Sequence, residues 1–336
     1  MVPTSPSAVV SNRVMTPHRL LAVLLVVTLL AVPFVVQSSF WLTFWTMTLL
    51  AAVLGQSWNI LGGYGGQSSF GHAAFFGTGA YAAAILQVRF GVDARLAAIA
   101  AIGFGAIAGA AIGMLSFRYG LRGSYFALVT MAFAEVFRII AVAWPLTGGG
   151  AGLNVPLHAG AATLQFVDRR GYYWAALALV AISIGLAAWL ERSRFGAWLV
   201  ALRENEAAAQ ALGINIFRVK LGAITLSAAL AASAGVFYTQ YFLYLDPGIA
   251  YGPGYSIEAL LGPIIGGTGT VLGPLIGAIS LHLLGRLATA ATGGAPGLDL
   301  AFYGVLLIGI LAFLPRGLTG LGAGVNWPSA WRRSRG

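Results

Sequence analysis

The sequence predicts an all-α membrane protein, a polytopic helical bundle with about ten crossings, some of them broken or re-entrant. Three observations predict it. Of 336 residues, 59% are hydrophobic and 8% charged, whereas a soluble domain carries roughly 25% charged residues, so the chain has too little polar surface to cover itself in water. Apolar runs recur from end to end, each near the ~20 helical residues that span a hydrocarbon core about 30 Å thick. Finally, 46 glycines suit helices that approach closely in lipid, and the aliphatic content excludes a glycine-rich disordered chain.

The elements follow in order. An N-terminal arm, 1–19, carries Arg13 and Arg19 and leads into an apolar run over 20–36. A cleaved signal would need a small-x-small site after that run. Instead a second apolar segment starts at Phe40, which predicts a retained first helix. Further spans are predicted over 41–61, 68–88, 95–116, 123–144, 172–190 and 220–243. Gly266, Gly267, Gly269, Gly273 and Pro274 break the region that follows, which reads as two short crossings, 254–267 and 273–291. A last span covers 300–315. The membrane domain is thus 20–315, with a C-terminal tail over 316–336.

Basic residues set the orientation. The net charge of +10 sits mostly in short loops, the pattern that orients membrane proteins rather than one that binds nucleic acid. With both termini cytoplasmic, thirteen Lys/Arg fall on the inner face and five, including Arg286, on the outer. The longest loops are 145–171, placed outside, and 191–219, placed inside. Tyr238, Tyr241, Tyr244, Tyr251 and Tyr255 read as an interfacial belt or a docking rim, with Asp246 and Glu258 solvated near the outer edge. Trp327 and Trp331 read as an inner anchor.

Composition limits the chemistry. Cysteine is absent and the four histidines show no ligand spacing, so no metal site is predicted. No catalytic site is predicted either. Ser68 and His72 lie at i and i+4, but a nucleophile and base need contact and an orienting third group.

Three segments carry function. In the inner loop, Asn205 is placed to cap a helix start, Glu206 sits in its favoured first turn, and Gly213 suits the left-handed residue that ends it. Two turns of helix are not stable alone, so this one rests on a protein partner or on lipid headgroups. In GGYGGQSSFGHAAFFG, 62–77, the glycines argue against an unbroken helix. Non-helical backbone at membrane depth needs protein or a wet cavity around it. Gln67, Ser68 and His72 there either line a pathway or hinge, or simply pack. The glycine rhythm of 62–79 loosely echoes that of 262–277. Glu135 and Arg138 share one face near the middle of their span. A buried position facing the bundle interior or a cavity is expected. The pair then either engages a zwitterionic solute, forms a structural ion pair, or links to a partner.

Five stretches together resemble one family. RENEAAAQALGIN at 203–215 looks like the ATPase-docking loop of ABC-importer permeases for branched-chain amino acids, of the LivM type. NILGGYGGQSSFGHAAFFGTGAYAAAIL, LRGSYFALVTMAFAEVFRII, TGGGAGL and GGTGTVLGPLIGA are similar to other motifs of that family and occur in its order, over roughly 40–320. The resemblance implies a permease in a bacterial cytoplasmic membrane. It also implies a second permease subunit, two cytoplasmic ATPase subunits and an external solute-binding protein as partners, besides membrane lipid. ATP would be bound by the ATPases and no cofactor by this chain, which lacks a G-x-x-x-x-G-K-[ST] phosphate loop. Carried over by position, Arg203, Glu204, Asn205, Glu206, Ala209, Leu212 and Gly213 would form the docking surface. An ABC permease for urea, short amides or other amino acids, and an ion-coupled secondary transporter, are the alternatives.

Overall fold

The computed structural model describes residues 17–158, 160, 163–293, 297–298, 301–302, 304–305, 308–309 and 317–322. The expected span over 300–315 lies mostly outside the described residues, as do most of the N-terminal arm and the tail with Trp327 and Trp331. The chain runs through α1 (Pro17–Val35), α2 (Ser39–Trp58), a π-helical segment (Asn59–Tyr64), α3 (His72–Phe90), α4 (Ala94–Arg118) and α5 (Gly123–Ala143). It continues through α6 (Arg169–Arg192), α7 (Arg194–Glu204), α8 (Glu206–Ala211), α9 (Ile216–Phe242), α10 (Pro247–Ala250), α11 (Pro253–Gly266) and α12 (Gly273–Ala291).

Among the described residues six helices are long and apolar enough to cross a membrane: α2 with its π extension, α4, α5, α6, α9 and α12. With 14 residues, α11 rises only ~21 Å, short of a full crossing, and it packs as one arm of a hairpin with α12. The expected break between 267 and 273 is this hairpin's turn. A two-stranded antiparallel pair, β1 (Leu153–Asn154) with β2 (Tyr244–Leu245), was not foreseen. It ties the long α5–α6 connection to the end of α9.

Helix α9 is the centre of the bundle and packs most extensively on α3 and α4. Small residues make that possible. Gly105, Gly109 and Gly113 form one stripe of α4 at spacing four, and side chains there would collide with Ala232, Ala228 and Ile224 of α9. In lipid, where burial of apolar surface gives no net drive, such close backbone approach supplies the association through dispersion. The α11–α12 hairpin closes the same way: a Cβ on Gly277 would strike the Gly262 carbonyl.

The tyrosines correct an expectation. Tyr238 and Tyr251 are buried, and Tyr255 is half-buried. Tyr255 stacks on Phe76 at 4.2 Å and Tyr251 on Tyr81 at 5.7 Å. They join α3, α9 and α11 as core aromatics rather than forming a belt. Only Tyr244 of the five is exposed.

Candidate functional site

In the loop over 191–219 the short helix after Asn205 forms as its sequence predicts, whereas the helix α7 before it was not foreseen. Asn205 accepts the Ala208 amide at 3.0 Å and so caps α8, and Gly213 ends it at φ +84°. Asn215 then caps α9 by accepting from the Arg218 amide. The expected docking residues divide. Leu212, 82% exposed, projects outward with Asn205, Ala207, Ala208, Gln210 and Gly213. Ala209 does not: it is 2% exposed and seats α8 on the bundle. Glu206 is likewise turned inward. Its carboxylate takes the Lys220 ammonium on one oxygen, while the other meets Arg122 Nε at 3.3 Å as an ion pair without hydrogen-bond geometry. Lys220 is itself buried, with its Nζ 5.7 Å from the centroid of the Phe117 ring. A cavity of about 350 Å³ lies beneath α8, with Leu121, Arg122 and Gln210 in its wall.

Arg203 links this loop to the membrane domain. Its Nη1 donates to the Gly63 carbonyl at 2.9 Å, while Nε and Nη2 hold the exposed Glu204. Gly63 lies in the π-helical segment. From the same segment, Asn59 reaches the α11–α12 turn. Its Nδ2 donates to Thr270 O at 3.0 Å and its Oδ1 accepts the Gly269 amide at 2.7 Å. A third tie runs from Tyr64 to Glu191 at the end of α6. The two glycine-rich breaks whose rhythms echo in sequence are therefore neighbours in space. Gly63 is needed at the crossing, because a Cβ there would strike Asn59 Oδ1 and approach Gly269 N at 2.6 Å.

The break over 65–71 is non-helical, as its glycines predict, and α3 starts at His72 rather than at 68. Side chains from three helices bond backbone groups of the break and of the start of α3. Trp58 Nε1 donates to Ser69 O, Thr130 Oγ1 accepts from the Phe70 amide, and Ser256 Oγ accepts from the Ala73 amide. His72 is fully buried, with Nε2 against Ser227 Oγ at 2.9 Å; Ser227 in turn donates to Ser57 O. His72 thus pins α3 to α2 and α9, whereas Ser68 is exposed. The two do not meet as a nucleophile and base. Gln67 is buried, with its Nε2 near Gly65 O.

Glu135 and Arg138 form a two-pronged ion pair, with Arg138 Nε and Nη2 donating at 2.9 and 2.6 Å. The expected burial is overturned. The side chains are 52% and 34% exposed, on a face of α5 that also shows Leu128, Met131 and Ile139. Among the described residues the two side chains have no other ion-pair or hydrogen-bond partner.

One cluster escaped the sequence reading. Glu258 is not solvated at an edge: its Oε1 lies 2.9 Å from His282 Nε2, and His282 Nδ1 lies 2.8 Å from Thr48 Oγ1. Arg286 lies in the same helix, toward the C-terminal end of α12. The signal that could have found them is the i, i+4 spacing of His282 and Arg286 in an otherwise apolar span, because intramembrane ionisable groups are costly and need partners.

A family model described as the branched-chain amino acid transport system / permease component matches residues 39–311. The chain is 29% identical over 331 residues to the high-affinity branched-chain amino acid transport system permease protein LivM of Escherichia coli K12, covering 90% of this chain and 75% of that one. It is 29% identical over 222 residues to the ribose import permease protein RbsC of the same strain, with 62% and 64% covered. It is 30% identical over 144 residues to the permease protein LivH of that strain, with 43% and 44% covered. No solved structure matches significantly. With four-fifths of its length matched by the family model and nine-tenths aligned to LivM, the chain belongs to the branched-chain amino acid transport permease family, as a LivM-type member.

Proposed function

We propose that the chain is the membrane-spanning permease subunit of an ATP-binding cassette importer that moves branched-chain amino acids inward across a bacterial cytoplasmic membrane. It works beside a second permease, two cytoplasmic ATPases bind and hydrolyse the ATP, and an external binding protein delivers the solute. The observation that carries this reading is the wiring of α8. A short helix with an exposed Ala/Leu face is joined through Arg203 to the π-helical segment, and from there through Asn59 to the α11–α12 turn. A push on α8 would reach both breaks without crossing flexible backbone. The similarity to LivM and to LivH supports the solute class and a pair of different permeases. The exposed Glu135–Arg138 pair supports a seam with the second permease, since charges on a membrane-facing surface need protein or water beside them. The excess of Lys/Arg on the side of α8 supports cytoplasmic termini and an even number of crossings, about ten.

Similarity to a ribose import permease favours a second reading in which the solute is another small polar molecule. Uptake of leucine against ribose into proteoliposomes separates the readings. The complete complex is expected to accumulate leucine only with ATP and binding protein. Accumulation by this chain alone, driven by an ion gradient, would show a secondary carrier instead.

A further inference from the structure

We propose that the groove between α2, α11 and α12 is a solute site in this chain, with Glu258 receiving the ammonium of a zwitterionic amino acid and Arg286 its carboxylate. The inference rests on the reading of the chain as an amino acid permease. The groove encloses about 800 Å³, within the range of small-molecule sites. Its walls are apolar, from Phe44, Ile257, Leu261 and Leu281, and its polar groups converge from two helices.

The hydrogen bonds leave two groups available. Thr48 gives its hydroxyl proton to Phe44 O, at 2.8 Å, so it accepts from His282 Nδ1–H. His282 Nε2 lies 2.9 Å from Glu258 Oε1. Glu258 Oε2 has no hydrogen-bond partner among the described residues. Arg286 stands one turn beyond His282 on α12 and lines the same groove as Glu258. Its guanidinium lies 4.6 Å from the Phe40 ring centroid and has no carboxylate partner among the described residues. An aromatic face orients a guanidinium without neutralising it. A cation from α12 and an open carboxylate oxygen from α11 line one groove with an aliphatic wall, the groups that a branched aliphatic zwitterion needs.

Gly248 and Ile249 of α10 also line the groove, and α10 packs on α5.

The test uses the complete complex in proteoliposomes, with leucine as the probe. Glu258→Gln and Arg286→Gln are each expected to lower uptake at subsaturating leucine by about tenfold, the loss of one charged hydrogen bond, while binding-protein-stimulated ATP hydrolysis stays within about twofold. A second readout does not depend on those charges. The chain has no cysteine, so Leu261→Cys provides a single thiol in the groove wall. Labelling by a small polar thiol reagent, read on this chain by mass spectrometry, is expected to fall when leucine is added during turnover. Uptake within about twofold in both charge variants, or labelling unaffected by leucine, would overturn the site. Failure of the unsubstituted complex to take up leucine would instead sink the solute assignment, and this site with it.

Discussion

Replacing Asn59 with alanine tests the link between the two breaks. The side chain is fully buried and makes two hydrogen bonds, donating to Thr270 O at 3.0 Å and accepting from Gly269 N at 2.7 Å. Truncation leaves one donor and one acceptor without partners. An unsatisfied buried group costs about 1–3 kcal/mol. Both turn residues are half-exposed, so water replaces part of the loss and the low end applies, about 1 kcal/mol each. A loss of about 2 kcal/mol opens the turn roughly 30-fold more often. Amide hydrogen exchange of the complex in nanodiscs, read over peptides covering 267–272, should therefore accelerate by about that factor. Peptides from α4 should not change. If Arg203, Gly63 and Asn59 transmit motion, leucine transported per ATP should fall in parallel. Exchange at the turn within about twofold of the unsubstituted protein would refute the argument.

Further outcomes follow from the same geometry. Ala209→Glu places a carboxylate under α8 at a 2%-exposed position and should cost about 2 kcal/mol. It should show as a lower Tm and new protease cutting at Arg203 or Arg218. Glu206→Leu should destabilise more than Lys220→Met, because it strands a buried ammonium, whereas Glu206 keeps Arg122 when Lys220 is lost. Thermal unfolding of the two variants gives the order, and the double variant should recover most of the loss. Gly71→Ala drives a Cβ into the Thr130 backbone. It should cost about 2 kcal/mol, read as a lower yield of folded protein. Glu135→Gln and Arg138→Gln each leave one uncompensated charge or dipole on the α5 face. Both should weaken copurification of the second permease and uptake together, and normal uptake in both would remove that face from the transport seam.

Much of the framework was legible because it is local. The caps at Asn205 and Gly213 depend on neighbours within four residues, and the glycine breaks depend on backbone sterics. What failed was long-range. Arg203 meets Gly63 across 140 positions and His282 meets Glu258 across 24, and no periodicity reports a pairing of that kind. Ala209 was misplaced because a helix's exposed face is set by what lies beneath it, here the inward Glu206–Lys220 pair. Glu135 was expected inside on the rule that membrane charges avoid lipid. The rule stands if a second permease covers the pair, as proposed above. The tyrosines read as a belt because their spacing in sequence says nothing of the stacking among α3, α9 and α11.

The central claim is that ATP-driven motion enters through the outer face of α8. Leu212→Glu tests it most directly, since Leu212 is 82% exposed and makes no contribution to the core. The variant should fold with an unchanged Tm, retain the second permease, and lose both ATPases on affinity purification, with ATP-driven leucine uptake abolished. Recovery of the full complement of ATPases with uptake intact would contradict the account.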